Sequence, residues 1–178
     1  DGIDVREWHK QELRRHLGLV LQDVFLFSGD IATNITLGDP RISEQSMVDA
    51  AARAQIAPFI DKLPKRFHEE VQERGSTLSQ GQRQLLSFAR ALAFDPKILI
   101  LDEATSSVDT QTEGLIQEAL NELLQNRTAL IVAHRLSTIK HADRILVIDN
   151  GEIREEGNHD ELLARRGLYA RLYDLQYR

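Results

Sequence analysis

Residues 98–103 join four apolar side chains to two adjacent carboxylates, those of Asp102 and Glu103. The run of Ile and Leu is too short for a helix and predicts a buried central strand of a parallel sheet. In open α/β sheets, ligands bind just beyond the carboxyl ends of such strands. Carboxylates at that place can hold Mg²⁺ on a nucleotide or accept a proton from an attacking water. The run alone is equally compatible with an ordinary strand followed by an acidic turn.

A second candidate binding element is the start of a predicted helix near residue 79. Ser79 and Gln82 have the Ser-x-x-Gln spacing of a capping box, and Gly81 between them lets another molecule approach the backbone closely. The apolar residues that follow at helical spacing are Leu85, Leu86, Phe88, Ala89 and Leu92. Unpaired N–H groups and the helix dipole attract anions such as phosphate to a helix start. By itself, the motif is more typical of an ordinary capped helix.

His134 directly follows a second predicted strand, at residues 129–133. A helix-sized segment separates this strand from the first, so a right-handed crossover would bring both carboxyl ends to one edge of the sheet. An imidazole at that edge can donate a hydrogen bond to a phosphate oxygen or hold a water molecule. A single histidine after a strand is more often a residue of the core or the surface.

Taken together, these motifs resemble the nucleotide-binding domain of ATP-binding-cassette (ABC) proteins. The matching motifs, in order, are the glutamine loop at Gln22, the signature at residues 78–82, the Walker B strand at 98–103, the loop that ends in Asp109, and the switch histidine His134. Each motif is weak alone, but the order and spacing of all five are specific, and the resemblance covers essentially the whole chain. It implies an α/β fold in which a P-loop NTPase-like, mostly parallel sheet core, truncated at the N-terminus, carries an inserted α-helical subdomain.

The resemblance also implies the boundaries of the parts. Residues 1–178 would form one ABC ATPase domain fragment. Its core would comprise residues 1–24 and 94–178, and its helical subdomain residues 25–93. The residue pattern predicts a strand near 17–21, a mostly helical stretch at 43–93 and a helix at 111–125 that covers the sheet. Asp149, Asn150 and Gly151 predict a hairpin turn between strands at 145–148 and 152–155.

Four side chains would serve the subunit's own nucleotide by this resemblance. Asp102 would hold Mg²⁺ through water, and Glu103 would act as the general base or position the attacking water. Gln22 would contact the metal or the attacking water, and His134 would contact phosphate or water. A Glu103→Gln change in the complete protein would then abolish turnover and keep nucleotide binding.

Other residues would serve a partner, because ABC domains pair head to tail with ATP between them. Ser79, Gly81 and Gln82 would contact the γ-phosphate of ATP held by a second nucleotide-binding domain, and Asp109 would bridge the two subunits. Gln80 replaces the first glycine of the consensus signature, a position where an exposed side chain is expected to be tolerated. The sequence does not distinguish a homodimer from a heterodimer.

The P-loop of the family is absent from the sequence as given. None of the ten glycines is followed by lysine, whereas a P-loop requires Gly-Lys before its Ser or Thr. We therefore expect the chain to be a fragment that binds Mg-ATP weakly and does not turn it over alone. Apolar surface that the missing part would cover is expected to be left open.

Within the family, three segments resemble bacterial exporters of the multidrug or lipid type. They are residues 25–31, residues 73–75 and residues 159–163. In such exporters a transmembrane domain precedes the ATPase on the same polypeptide and holds it at the cytoplasmic face of the membrane. Residues 25–28 would then form part of a groove for that domain. A soluble ABC ATPase of repair or translation remains the alternative, since it would share the motifs and lack the groove.

The composition is compatible with this interpretation. A chain of 178 residues is long enough for one domain, or for one domain with a small lobe. The absence of cysteine excludes disulfides and thiolate metal sites. A net charge of −6 argues against nucleic acid as a partner, because phosphate contacts require basic clusters. No apolar run approaches the ~20 residues that span a bilayer.

Overall fold

The computed structural model of the chain describes residues 2–72, 75–102, 110–133 and 139–176. The chain folds as two compact units, Asp1–Val132 and Ala133–Arg178. The helices and strands of the first unit are, in chain order, α1 (Lys10–Arg15), β1 (Leu17–Val20), β2 (Gly29–Asp30), α2 (Ile31–Thr36), α3 (Glu44–Arg53), α4 (Ala57–Ile60), β3 (Glu70–Val71), α5 (Gln80–Phe94), β4 (Ile98–Asp102), α6 (Thr110–Leu124) and β5 (Thr128–Val132). Short 3₁₀ turns lie at Val5–Glu7 and Arg66–His68.

A three-stranded parallel sheet forms the centre of this unit, in the order β1, β4, β5. The prediction of a central parallel strand that ends at Asp102 is therefore confirmed. Val20 pairs with Leu101, and Asp102 pairs with Val132, so the three strands end at the same edge. Gly18 allows β1 to lie close to Pro96, because a Cβ at this position would be only 2.6 Å from Cγ of Pro96.

The two faces of this sheet differ in burial. Side chains alternate along β4, so Leu99 and Leu101 are fully buried while Ile98 is 40% exposed. The buried face belongs to one apolar cluster with residues of α5 and α6, among them Leu86, Phe88, Ile116 and Leu120. Leu17, Leu19, Ile98, Leu130 and Val132 remain 37–60% exposed. Parallel sheets are ordinarily covered on both faces.

The long helices follow the sequence patterns. Ser43 caps α3 by accepting a hydrogen bond from the Ser46 N–H. In α6, the residues Ile116, Ala119, Leu120 and Leu123 are buried at helical spacing, which confirms the predicted helix over 111–125. The predicted helical stretch at 43–93 is confirmed in α3, α4 and α5.

Several short elements escaped the sequence analysis, among them α1, α2, β2 and β3. Helix α2 has six residues and is held by Asp30, whose carboxylate accepts from the Thr33 N–H at 2.7 Å. Strands β2 and β3 pair antiparallel over two residues each. Elements this short contain too few residues for a helical or alternating pattern to appear.

The second unit contains β6 (Ile145–Asp149), β7 (Glu152–Gly157), α7 (His159–Arg165) and α8 (Leu168–Gln176). The hairpin prediction is confirmed: β6 and β7 are antiparallel, and Asn150 and Gly151 turn with φ of 51° and 78°. Ile145, Val147, Leu162 and Tyr169 form its buried core. Across both units, none of the helices in the described ranges has the length and apolarity to cross a membrane.

Candidate functional site

The carboxyl edge of the parallel sheet brings two of the predicted site residues to neighbouring strand ends. Asp102 is the last residue of β4 and is partly buried. Gln22 follows β1 by two residues and is exposed. Because Val20 pairs with Leu101, Gln22 and Asp102 leave the sheet at the same edge. A carboxylate on a rigid strand end and an exposed amide at the same edge of the sheet suit the binding of a charged ligand.

The helix start at Ser79 has the predicted capping box. The Ser79 hydroxyl oxygen accepts from the Gln82 N–H at 3.2 Å, and the Gln82 side-chain oxygen accepts from the Ser79 N–H at 2.9 Å. Gly81 is buried while Ser79 is exposed, and the Ser79 hydroxyl retains its hydrogen for another acceptor. The dipole of the 15-residue helix α5 adds positive potential at this end.

Within the described residues, no hydrogen bond or ion pair joins Ser79, Gly81 or Gln82 to Gln22 or Asp102. The predicted residues Glu103, Asp109 and His134 lie outside the described residues, as do positions 73 and 74 of the exporter-like segment.

Behind the sheet edge, a polar cluster holds the segment that follows Gln22. Asn34 is 1% exposed, accepts from the Phe27 N–H and donates to the Phe27 carbonyl, both at 2.8 Å. Arg90 of α5 donates to the carbonyls of Asn34 at 2.8 Å and Phe25 at 3.2 Å. The cluster keeps the backbone of 25–27 fixed while the rings of Phe25 and Phe27 stay about half exposed and pack edge to face at 5.0 Å.

Sequence reasoning missed Asn34 and Arg90. The available signal was a polar or charged residue within an apolar helical pattern: Asn34 lies between Ile31 and Ile35, and Arg90 between Ala89 and Ala91. Burial lowers the pKa of the Arg90 guanidinium, which nevertheless stays charged at neutral pH. Such a residue is expected to have specific acceptors, because an unpaired buried charge is costly.

The carboxylate of Asp30, which precedes α2, has a shifted pKa. Burial alone would raise the pKa of Asp30, but hydrogen bonds from Thr33 and His68 bring it below its ordinary value. His68 Nδ1 lies 3.4 Å from the Asp30 carboxylate. Asp30 is therefore ionised at neutral pH and remains the N-cap of α2.

Comparison with known proteins identifies the architecture. The ABC transporter family matches residues 1–106. The chain belongs to the ABC transporter family. A solved structure of a bacterial Atm1-family ABC exporter with ATP bound superposes with a TM-score of 0.88 at 43% identity, over 98% of this chain and 31% of the exporter chain. The α/β fold predicted from the sequence is thus confirmed as that of an ABC exporter's nucleotide-binding domain.

Several relatives of this ABC chain have names that combine an ATP-binding part with a permease. A probable multidrug resistance ABC transporter ATP-binding/permease protein of Bacillus subtilis is 55% identical over 99% of the chain and 26% of its own length. A fatty acid ABC transporter ATP-binding/permease protein of Mycobacterium bovis is 50% identical over 95% of the chain and 27% of its own length. The chain thus spans about a quarter of the length of these relatives, and their names give no support to a soluble ABC ATPase.

Family membership implies that ATP is bound, and the residues at the sheet edge also suit a magnesium ion. Mg²⁺ prefers oxygen ligands and is ordinarily held by one or two carboxylates together with substrate phosphates and waters. Asp102 and Gln22 offer one carboxylate and one amide oxygen. Within the described ranges, no cluster of three or more His, Cys, Asp or Glu side chains forms a complete metal cage. This donor set fits a metal that arrives with the nucleotide.

Proposed function

We propose that the chain is the ATP-hydrolysing part of a bacterial ABC exporter and that it works as one half of a head-to-tail pair. The supporting observation is the placement of Asp102 and Gln22 at one sheet edge, with no hydrogen bond or ion pair within the described residues that joins them to the capped helix start at Ser79. One group would serve the subunit's own ATP and the other the ATP of a second nucleotide-binding domain. A transmembrane domain of the same polypeptide would hold the chain at the cytoplasmic face of the membrane.

At the subunit's own site, each residue has a defined part. Asp102 would hold the magnesium ion through water, and Gln22 would contact the metal or the attacking water. Glu103, the next residue in the chain, accepts the proton of that water or positions it. His134 donates a hydrogen bond to phosphate or holds the water. Bound Mg²⁺ would neutralise charge on the phosphates.

At the partner's site, the start of α5 supplies hydrogen-bond donors and positive potential. The Ser79 hydroxyl and the backbone near Gly81 face the γ-phosphate of the partner's ATP, and the capping box through Gln82 fixes their geometry. Asp109 would link the two subunits. The exposed ring pair of Phe25 and Phe27 forms an apolar contact for the transmembrane domain.

The test of the site uses the full-length protein and two carboxylates near opposite ends of β4. Asp102→Asn should weaken magnesium-dependent ATP hydrolysis by about 10–100-fold, as expected for a residue that acts on the metal through water. Asp95→Asn is the matched control: Asp95 is exposed and pairs with Arg127, so its loss should change the rate by less than about twofold. Equal effects of the two changes on hydrolysis would contradict the assignment of Asp102.

Glu103→Gln tests the chemical step. The amide cannot accept the proton of water, so kcat should fall by about 10²–10⁴-fold while ATP binding stays at the wild-type level. Hydrolysis is measured by phosphate release, and binding by titration with a fluorescent ATP analogue. Unimpaired hydrolysis by this variant would refute the role of Glu103.

A further inference from the structure

The loop that carries Gln22 is anchored at both ends. At its start, Val20 is paired with Leu101 in the parallel sheet. At its end, the carbonyl of Phe25 accepts a hydrogen bond from Arg90. Only residues 21–24 lie between these anchors, so the position of Gln22 depends directly on where the second anchor lies. A loop this short cannot absorb a displacement of one end without moving its middle.

Arg90 is suited to fix the second anchor. Its guanidinium spans three acceptors, with the Asn34 carbonyl oxygen at 2.8 Å, the Phe25 carbonyl oxygen at 3.2 Å and the Asn34 side-chain oxygen at 3.4 Å. Its carbon Cζ lies 5.8 Å from the centre of the Phe27 ring, within range of a cation–π contact. A planar fork with several N–H donors can satisfy this arrangement, whereas the ammonium of lysine is a point charge.

Asn34 of α2 also holds the backbone at the outer end of this loop. Its amide donates to the carbonyls of Phe27 and Asp30 and accepts from the Phe27 N–H. Between the two clamped positions, Leu26 is fully buried. The backbone of 25–27 is thus held by one side chain from α2, one from α5 and one core contact.

We propose that Arg90 is a positioning residue for Gln22: from α5, it fixes the backbone at Phe25 and so sets the outer end of the glutamine loop. The proposal rests on the proposed function, in which Gln22 contacts the metal or the attacking water. Arg90 would thereby connect the site at Gln22 with the site at Ser79. Ser79 caps the start of α5 and lies eleven residues before Arg90, a rise of about 16 Å along the helix. A movement of α5 caused by the partner's nucleotide would therefore reach Gln22 of this subunit.

The test compares Arg90 with a second partly buried arginine of the same unit. Arg127 also donates to backbone carbonyls, those of Leu123 at 2.8 Å and Pro96 at 3.1 Å, and its side chain is 6% exposed. It lies before β5, away from the loop at 21–24. Arg90→Met and Arg127→Met remove the same chemical group from comparable surroundings, so a purely structural role predicts equal effects.

In the full-length protein, Arg90→Met should lower kcat for ATP about 10–100-fold and leave KM for ATP within about twofold, because a misplaced Gln22 affects the reacting geometry. Hydrogen–deuterium exchange of the amides at 21–28 should become faster. Arg90→Lys should give an intermediate kcat, since an ammonium cannot span all three acceptors. Arg127→Met should lower thermal stability and leave both kcat and the exchange at 21–28 unchanged.

Equal loss of kcat in Arg90→Met and Arg127→Met would overturn the proposal, as would wild-type kcat in Arg90→Met. Should Arg90→Met fail to fold, Arg90→Lys is compared with Arg127→Lys instead. The two readouts are again kcat for ATP and the hydrogen–deuterium exchange of the amides at 21–28. A wild-type protein that does not hydrolyse ATP would refute the proposed function itself. That result is visible before any variant is compared, so the two failures are distinguishable.

Discussion

Ser79 combines a structural contact with a proposed ligand contact, and substitutions can separate them. Its hydroxyl oxygen accepts from the Gln82 N–H and so caps α5. Its hydroxyl hydrogen is the part proposed to reach the partner's phosphate. An aspartate at this position keeps the acceptor for the cap, whereas it replaces the donor with a negative charge.

We expect Ser79→Asp to be stable but inactive. Aspartate is as good an N-cap as serine, and its charge suits a helix start, so the thermal unfolding temperature should not fall. ATP hydrolysis should be abolished, because the carboxylate repels the γ-phosphate. Ser79→Ala is the control for the cap and should lower the free energy of unfolding by about 1 kcal/mol. Wild-type hydrolysis by Ser79→Asp would exclude the phosphate contact.

At the scale of secondary structure, strong local signals were predictable. The apolar run of β4, the capping box of α5 and the Asn150–Gly151 turn each lie within a few residues of sequence. The cluster of Asn34 and Arg90 was not predictable, because it joins residues 56 positions apart through a carbonyl that any residue could supply. The two-residue strands β2 and β3 likewise depend on tertiary pairing.

In the second unit, Glu155 of β7 has a structural role. Its carboxylate accepts from the N–H groups of Tyr169 at 3.0 Å and Leu168 at 2.5 Å, and so caps α8. The hydrogen bond from Tyr169 makes the larger contribution and that from Leu168 a smaller one, and together they hold the pKa of Glu155 below its ordinary value of 4.5. Gly167 leaves room for the carboxylate, since a Cβ there would lie 1.9 Å from its Oε1.

The cap should make stability depend on pH. A lowered pKa in the folded state means that the charged carboxylate stabilises the fold above the unfolded pKa, and that this contribution is lost as pH falls through the lower folded value. Glu155→Gln should therefore lower the free energy of unfolding by about 0.5 kcal/mol at pH 7, since solvent screens the charge, and have little effect at pH 3.

Urea denaturation between pH 3 and pH 7 measures this difference. Glu152→Gln is the matched control, because Glu152 lies on the same strand, is exposed and pairs with Arg154. Its effect should be small at both pH values. An effect of Glu155→Gln that is independent of pH would show that the charge does not stabilise the cap.

In the whole molecule, two chains would be needed to complete each nucleotide site. Asp102 and Ser79 belong to one polypeptide but would act on different ATP molecules. The location of Asp102 at the sheet edge was predictable from sequence, since a short apolar strand ends there. The division between two sites was implied by family resemblance alone, because no local pattern encodes contact with a second chain.

The most direct measurement is single-turnover ATP hydrolysis by mixed dimers of the full-length protein, purified through two different tags. If each site takes Asp102 from one chain and Ser79 from the other, a dimer of one Asp102→Asn chain and one Ser79→Asp chain has both changes in one site. It should keep the other site active. A dimer of one doubly substituted chain and one wild-type chain should have no intact site, so its ATP hydrolysis should fall at least about 10-fold below that of the first dimer. Hydrolysis by the dimer with the doubly substituted chain, together with none by the dimer of two singly substituted chains, would contradict the shared site.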